Sequence, residues 1–195
     1  MRAHKKTTKQ PVFTIGHSTR SLAELIALLR AHGVKRVIDI RTIPRSRHNP
    51  QFNRETLARA LRGSRIGYVH LKKLGGLRRA KPDSQNTGWH NASFRGFADY
   101  MQTAEFEAGL ERAIKLAAGK PSTLMCAEAV PWRCHRSLVG DALVVRGIPV
   151  KDILSKSRPK THKLTRFARV RRGRITYPGE KKAANIREYP APPRR

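Results

Sequence analysis

Up to Leu154, five short apolar runs alternate with longer segments of helical spacing. The runs at 12–15 (VFTI), 36–40 (RVIDI), 68–71 (YVHL), 122–126 (STLMC) and 150–154 are too short for helices. They are rich in β-branched and apolar residues and bounded by glycine, proline or polar positions, so they predict strands. Between them, Ser21 and Glu24 form a capping box ahead of an amphipathic stretch reaching about Ala31, and His32-Gly33 closes it. A second helix is predicted near 54–61. A longer helical pattern covers 97–118 with a break near Thr103, and another helix runs from the 131–136 segment to Val145. Residues 83–95 read as a polar loop. Strands alternating with helices predict an α/β domain, a mainly parallel sheet of about five strands with helices on both faces.

Charge divides the chain further. The protein carries 42 Lys and Arg against 13 Asp and Glu, a net charge of +29 over 195 residues. Residues 155–195 hold +12 of this, and they include Pro159, Pro178 and a proline-rich end. The expected organisation is a basic N-terminal arm at 1–11, one α/β domain at 12–154, and a basic, proline-containing C-terminal extension at 155–195. The extension is too poor in apolar residues to fold alone, although Leu164, Phe167, Ala168, Val170, Ile175 and Tyr177 offer a means of docking on the domain. So large an excess of cations argues against an enzyme indifferent to polyanions, and makes nucleic acid, nucleotides or an anionic membrane surface the first partners to consider. No apolar run is long enough for a transmembrane helix, and the segment after the basic start is too short for a signal peptide. Two cysteines, Cys126 and Cys134, cannot staple a fold of this size. They suggest a reducing, cytoplasmic setting with free thiols, a single disulfide being the alternative.

In a parallel sheet, ligands bind beyond the carboxyl ends of the strands, and the polar residues gather there. His17, Ser18 and Arg20 follow the first strand. Asp39, Arg41, Arg45, Arg47 and His48 follow the second, and His70 the third. Cys126 and Glu128 follow the fourth, with Arg133, His135 and Arg136 next. Gly16, Ser18 and Arg20 ahead of a helix suit an anion; alternatively Ser21 only caps its helix and His17 satisfies a carbonyl. Arginine forks at 41, 45 and 47 match phosphate bidentately, although strand alternation also lets Asp39 and Arg41 form an ion pair. A cysteine ending a strand, with arginine near the next helix, has the layout of thiol phosphatases and sulfurtransferases. Six residues separate Cys126 from Arg133, one more than the phosphatase pattern, so a buried structural thiol is the leading alternative. The spacing of Cys126, Cys134 and His135 is irregular for a zinc site, and neither a metal nor a cofactor is expected.

Several segments resemble the bacterial and archaeal family catalogued as domain of unknown function 488. They are Thr14 to Arg20 (TIGHSTR), Val37 to Arg47 (VIDIRTIPRSR), Leu74 to Arg78 (LGGLR), Asn86 to Trp89, Ser93 to Gly96, and Met125 to Arg136. The resemblance covers about 12–154 and implies an α/β domain with a polar rim, without supplying a reaction. The residues themselves suggest an enzyme, hydrolase or transferase, acting on a phosphate-bearing nucleotide or nucleic acid. Glu128, His70, His135, Cys126 and Asp39 are then the catalytic candidates, and His17, Ser18, Arg20, Arg41, Arg45, Arg47, Arg133 and Arg136 hold the anion. The competing readings are a non-catalytic nucleic-acid-binding module, with Trp89, Phe94 and Tyr100 as stacking faces, and a thiol-dependent phosphoryl or sulfur transferase.

Overall fold

Each of the five apolar runs forms a strand. The computed structural model describes residues 10–179; most of the N-terminal arm and the last part of the extension lie outside the described residues. Strands β1 (Val12–Gly16), β2 (Arg36–Asp39), β3 (Gly67–His70), β4 (Ser122–Cys126) and β5 (Val150–Ile153) pair in parallel throughout. A two-residue strand, β6 (Lys160–Thr161), adds an antiparallel edge, giving the order β3-β2-β4-β1-β5-β6.

Helix α1 (Leu22–Ala31) begins at the expected capping box, with both reciprocal bonds between Ser21 and Glu24 formed. Helix α2 spans Arg54–Gly63. The long pattern before β4 is two helices, α3 (Ala92–Tyr100) and α4 (Ala104–Gly119). The break comes where the Thr103 hydroxyl caps the amide of Phe106, and α3 starts inside the expected polar loop because Asn91 caps Ser93 and Phe94. Helix α5 spans Arg136–Val145.

Strand alternation sends apolar side chains to two separate cores. Ile15, Val37, Met125 and Ile153 meet Leu25, Leu28 and Leu29 of α1 and Leu57 and Leu61 of α2. Val12, Ile38, Leu124 and Val150 face the other way, onto α3, α4 and α5. Helices therefore cover both faces, and the face changes at neighbouring strands. The chain leaving β1 crosses on the α1 side; the chain leaving β4 crosses on the α5 side. The carboxyl ends of β1 and β4 are thus a topological switch point, where a crevice opens in such sheets.

The extension is built into this domain as far as Gly179. After β6, strands β7 (Arg169–Arg171) and β8 (Arg174–Thr176) form a hairpin, and Ile175 and Tyr177 are buried in the α3–α5 core. Trp89 packs with Phe94, Phe167 and Tyr177, so two of the expected stacking faces are used internally. Tyr100, the third, is buried, and the Arg78 guanidinium lies 3.5 Å above its ring. Among the described residues, no helix is long and apolar enough to cross a membrane.

Candidate active site at the carboxyl edge

The switch point is closed by backbone. The amides of His17 and Ser18 donate to the carbonyls of Cys126 (3.0 Å) and Ala127 (2.8 Å), so the segment after β4 lies over the end of β1. Gly16 permits that approach, since a Cβ there would stand 1.7 Å from the Glu128 carbonyl oxygen. Arg136, only 1% exposed, clamps the same segment from α5 by donating to the carbonyls of Glu128 and Ala129. Arg20 likewise donates to the carbonyls of Gly16 and Leu154.

Asp39, fully buried at the end of β2, is the hub of a polar network. It accepts from Arg41 Nε and, at 2.6 Å, from Nη2, and from the Tyr68 hydroxyl at 2.7 Å. Arg41 is bonded through all three of its guanidinium nitrogens. Nη2 also donates to the Phe52 carbonyl at 2.9 Å, and Nη1 to His17 Nε2 at 3.2 Å. Burial works against the guanidinium charge, but Asp39 outweighs it and raises the Arg41 pKa. Burial, reinforced by Asp39, raises the Tyr68 pKa.

His17 stacks on the buried Phe52 with ring centroids 4.2 Å apart, and Nδ1 donates to the Ser18 carbonyl at 2.8 Å. Burial, with the nearby Arg41 charge, lowers its pKa to about 4 against the hydrogen bond to Ser18, so the ring is neutral. Its other nitrogen accepts from Arg41, which fixes the tautomer.

Beside this network lies a sulfur cluster. His135 Nδ1 is 3.8 Å from Cys126 Sγ and 3.7 Å from Cys134 Sγ, while its Nε2 donates to the Ile40 carbonyl at 3.2 Å. Both thiols are free and buried. They share a hydrogen bond that, with burial, pushes the Cys126 pKa up; the same bond, aided by His135, pushes Cys134 down. The two clusters adjoin through the 3.0 Å bond from the His17 amide to the Cys126 carbonyl.

The expected rim residues thus separate into two groups. His17, Asp39, Arg41, Cys126, His135 and Arg136 converge on the β1–β4 junction, but His17, Arg20, Arg41 and Arg136 spend their hydrogen bonds inside the protein. Buried polar groups are usually satisfied; here backbone carbonyls and Asp39 take most of these donors, and Arg136 Nε is a buried donor without a partner among the described residues. Ser18 turns through a positive φ of 52° and gives its amide to the Ala127 carbonyl. Arg45, Arg47, Arg133 and Glu128 are exposed. His70 is half-buried, with Nε2 donating to the Arg41 carbonyl at 2.8 Å. The sequence reading passed over Tyr68, although strand alternation puts it on the face of His70, whose register partner is Asp39. It also passed over Trp132, which is 60% exposed on the turn before Cys134. Trp132 and Trp89 line a cleft of about 480 Å³ together with Lys160, His162 and Lys163.

The fold and this edge define an α/β protein with a doubly covered parallel sheet and a Cys/His/Asp/Arg cluster at its switch point. The sequence pattern of the family described as "Domain of unknown function DUF488" matches residues 21–143, and the chain belongs to that family. No curated protein and no solved structure matches it.

Proposed function

We propose that the protein is an enzyme acting on a phosphate-bearing nucleotide or nucleic acid at the carboxyl edge of the sheet. The observation that carries the reading is the chain Tyr68–Asp39–Arg41–His17 adjoining Cys126, Cys134 and His135. Burying an ion pair is costly even when it is well bonded, and stability alone is better served by apolar packing. A network that holds a neutral histidine and two thiols in one orientation at a switch point suits catalysis.

In this reading His17, Asp39 and Arg41 are positioning residues, because their hydrogen bonds run mainly to one another and to backbone carbonyls. The exposed Arg45, Arg47 and Arg133 hold anionic oxygens by bidentate contacts. Glu128 and His70 are the groups able to move a proton, since one is exposed and the other has Nδ1 without a hydrogen bond among the described residues. The neighbouring cleft supplies an aromatic face, Trp132, next to Lys160 and Lys163, a combination suited to a base and its phosphate.

Titration of the full chain with nucleotides and short oligonucleotides, followed by tryptophan fluorescence, tests binding. Quenching that disappears in Trp132→Ala is expected, and Glu128→Gln is expected to abolish turnover of the bound compound while retaining its affinity. Binding without turnover of any bound compound would favour the non-catalytic module, for which the net charge of +29 speaks. No binding of either class would overturn both readings.

A further inference from the structure

The geometry points to a metal site, in which Sγ of Cys126, Sγ of Cys134 and Nδ1 of His135 bind a thiophilic divalent cation of the zinc type. The three donor atoms lie within 4.8 Å of one another, and the two N···S separations are 3.8 and 3.7 Å. A tetrahedral zinc with Zn–S near 2.3 Å and Zn–N near 2.05 Å requires N···S edges of about 3.6 Å and an S···S edge of about 3.8 Å. The two N···S edges therefore need to change by only a few tenths of an ångström. The chain arrives there from two elements, the end of β4 and the turn before α5, so the irregular sequence spacing places no obstacle in three dimensions.

The surroundings of His135 are those of a metal ligand. Its Nε2–H donates to the Ile40 carbonyl, which fixes the tautomer and turns the Nδ1 lone pair toward the sulfurs, the second-shell arrangement common to metal-bound histidines. Phe97 packs on one side of the ring at 4.9 Å, and Gly76 lies against it where a Cβ would stand 2.3 Å from Nδ1. The orientation is thus held by packing as well as by the hydrogen bond. Two thiolates neutralise a divalent charge, so the filled site carries no net charge into a region where Cys126 and Cys134 are 7% and 3% exposed. A sulfur that enters as a thiol gives its proton to solvent. Three protein ligands leave the fourth tetrahedral position for water or another small ligand, the pattern of sites that are not purely structural. The site requires nothing of the nucleotide reading and is tested without any substrate.

The test uses the reduced full chain, stripped with a chelator and titrated with cobalt(II) alone. The expected result is one equivalent bound, with thiolate-to-cobalt charge-transfer absorption and the visible bands of a four-coordinate ion, both lost on adding one equivalent of zinc. Cys134→Ser should remove most of the charge-transfer intensity. Absence of that absorption in the wild type would overturn the site, and so would a spectrum unchanged in Cys134→Ser. Should the variant fail to fold, alkylation of the wild type answers the same question. Zinc should slow modification of Cys126 and Cys134 at least tenfold, read by peptide mass spectrometry; equal rates with and without zinc would count against it. Closure of a Cys126–Cys134 disulfide without metal uptake would also overturn it.

Discussion

His162 Nε2 lies 2.9 Å from the carboxylate of Asp141, which ion-pairs the C-terminal extension to the middle of α5. The other ring nitrogen is 3.5 Å from Asp152, which also accepts from the Thr14 hydroxyl at 2.6 Å. Asp141 further accepts from the Thr165 amide and the Tyr177 hydroxyl. One buried carboxylate thus gathers three positions of the extension, and apolar packing of Ile175 and Tyr177 completes the attachment.

Stability should depend on pH through two histidines of opposite sense. Burial opposes charge on His162, but Asp141 and Asp152 outweigh it and raise its pKa from 6.5 to about 9. Its stabilisation is complete below about pH 6.5 and is lost as pH rises toward 9, where the folded state alone still binds the proton. His17 is lowered to about 4, so between pH 6.5 and 4 the unfolded chain binds a proton that the folded one refuses, and stability falls as pH falls. Melting curves across pH should therefore lose their alkaline decline in His162→Gln and keep the acid one. A parallel offset at every pH would show that His162 is not charged in the native state.

The Asp39–Arg41 pair should be structural in its energetics. Asp39→Asn leaves a buried guanidinium short of its counter-charge, a loss of about 3–5 kcal/mol for removing one partner of a buried pair. Arg41→Lys keeps the charge but cannot reach Asp39, His17 and the Phe52 carbonyl together, and should cost at least about 2 kcal/mol. Denaturant unfolding measures both. A loss below 0.5 kcal/mol in each variant, roughly the level of a surface substitution, would mean the network is not holding the edge.

Two glycines should resist substitution for steric reasons. Gly16→Ala drives a methyl group into the Glu128 carbonyl, a backbone atom that can yield only by parting β1 from the segment after β4. A destabilisation of about 3 kcal/mol is expected from such overpacking. Gly76→Ala displaces the His135 ring instead, so its stability loss should be accompanied by faster alkylation of Cys126 and Cys134. Wild-type alkylation rates in Gly76→Ala would mean that the ring does not seal the thiols.

Polyanion binding should draw on the β7–β8 hairpin, where Arg171, Arg172 and Arg174 are exposed around a tight turn with positive φ at Arg172 and Gly173. Replacing all three with serine should flatten the salt dependence of log K for duplex DNA by up to about 3, at about 0.9 per phosphate contact. An unchanged slope would place the contacts elsewhere. The hairpin variant is the informative one, because truncation after Leu154 removes Ile175 and Tyr177 from the core and should abolish cooperative melting.

Local sequence determined the elements and the face each presents. Period-two and helical spacing marked β1, β2, β4 and β5 to within a residue or two, and the Ser21–Glu24 box marked the start of α1, because strand alternation and capping act over a few neighbouring residues. The same alternation put His17, Asp39, Arg41, His70 and Cys126 at strand ends, which together with the family resemblance located the edge. Tertiary structure decided what those side chains do. Whether a guanidinium meets a ligand or a carbonyl depends on residues far away in sequence: Arg41 bonds Asp39, His17 and Phe52, and Arg136 bonds the Glu128 segment. The same holds for the sulfur cluster, whose irregular spacing hides donors that the junction of β4 and α5 brings together. The extension shows it most clearly. Its composition is too polar to fold alone, yet Tyr177 and His162 are taken up by Asp141, a buried carboxylate on α5 whose partners no local pattern could specify.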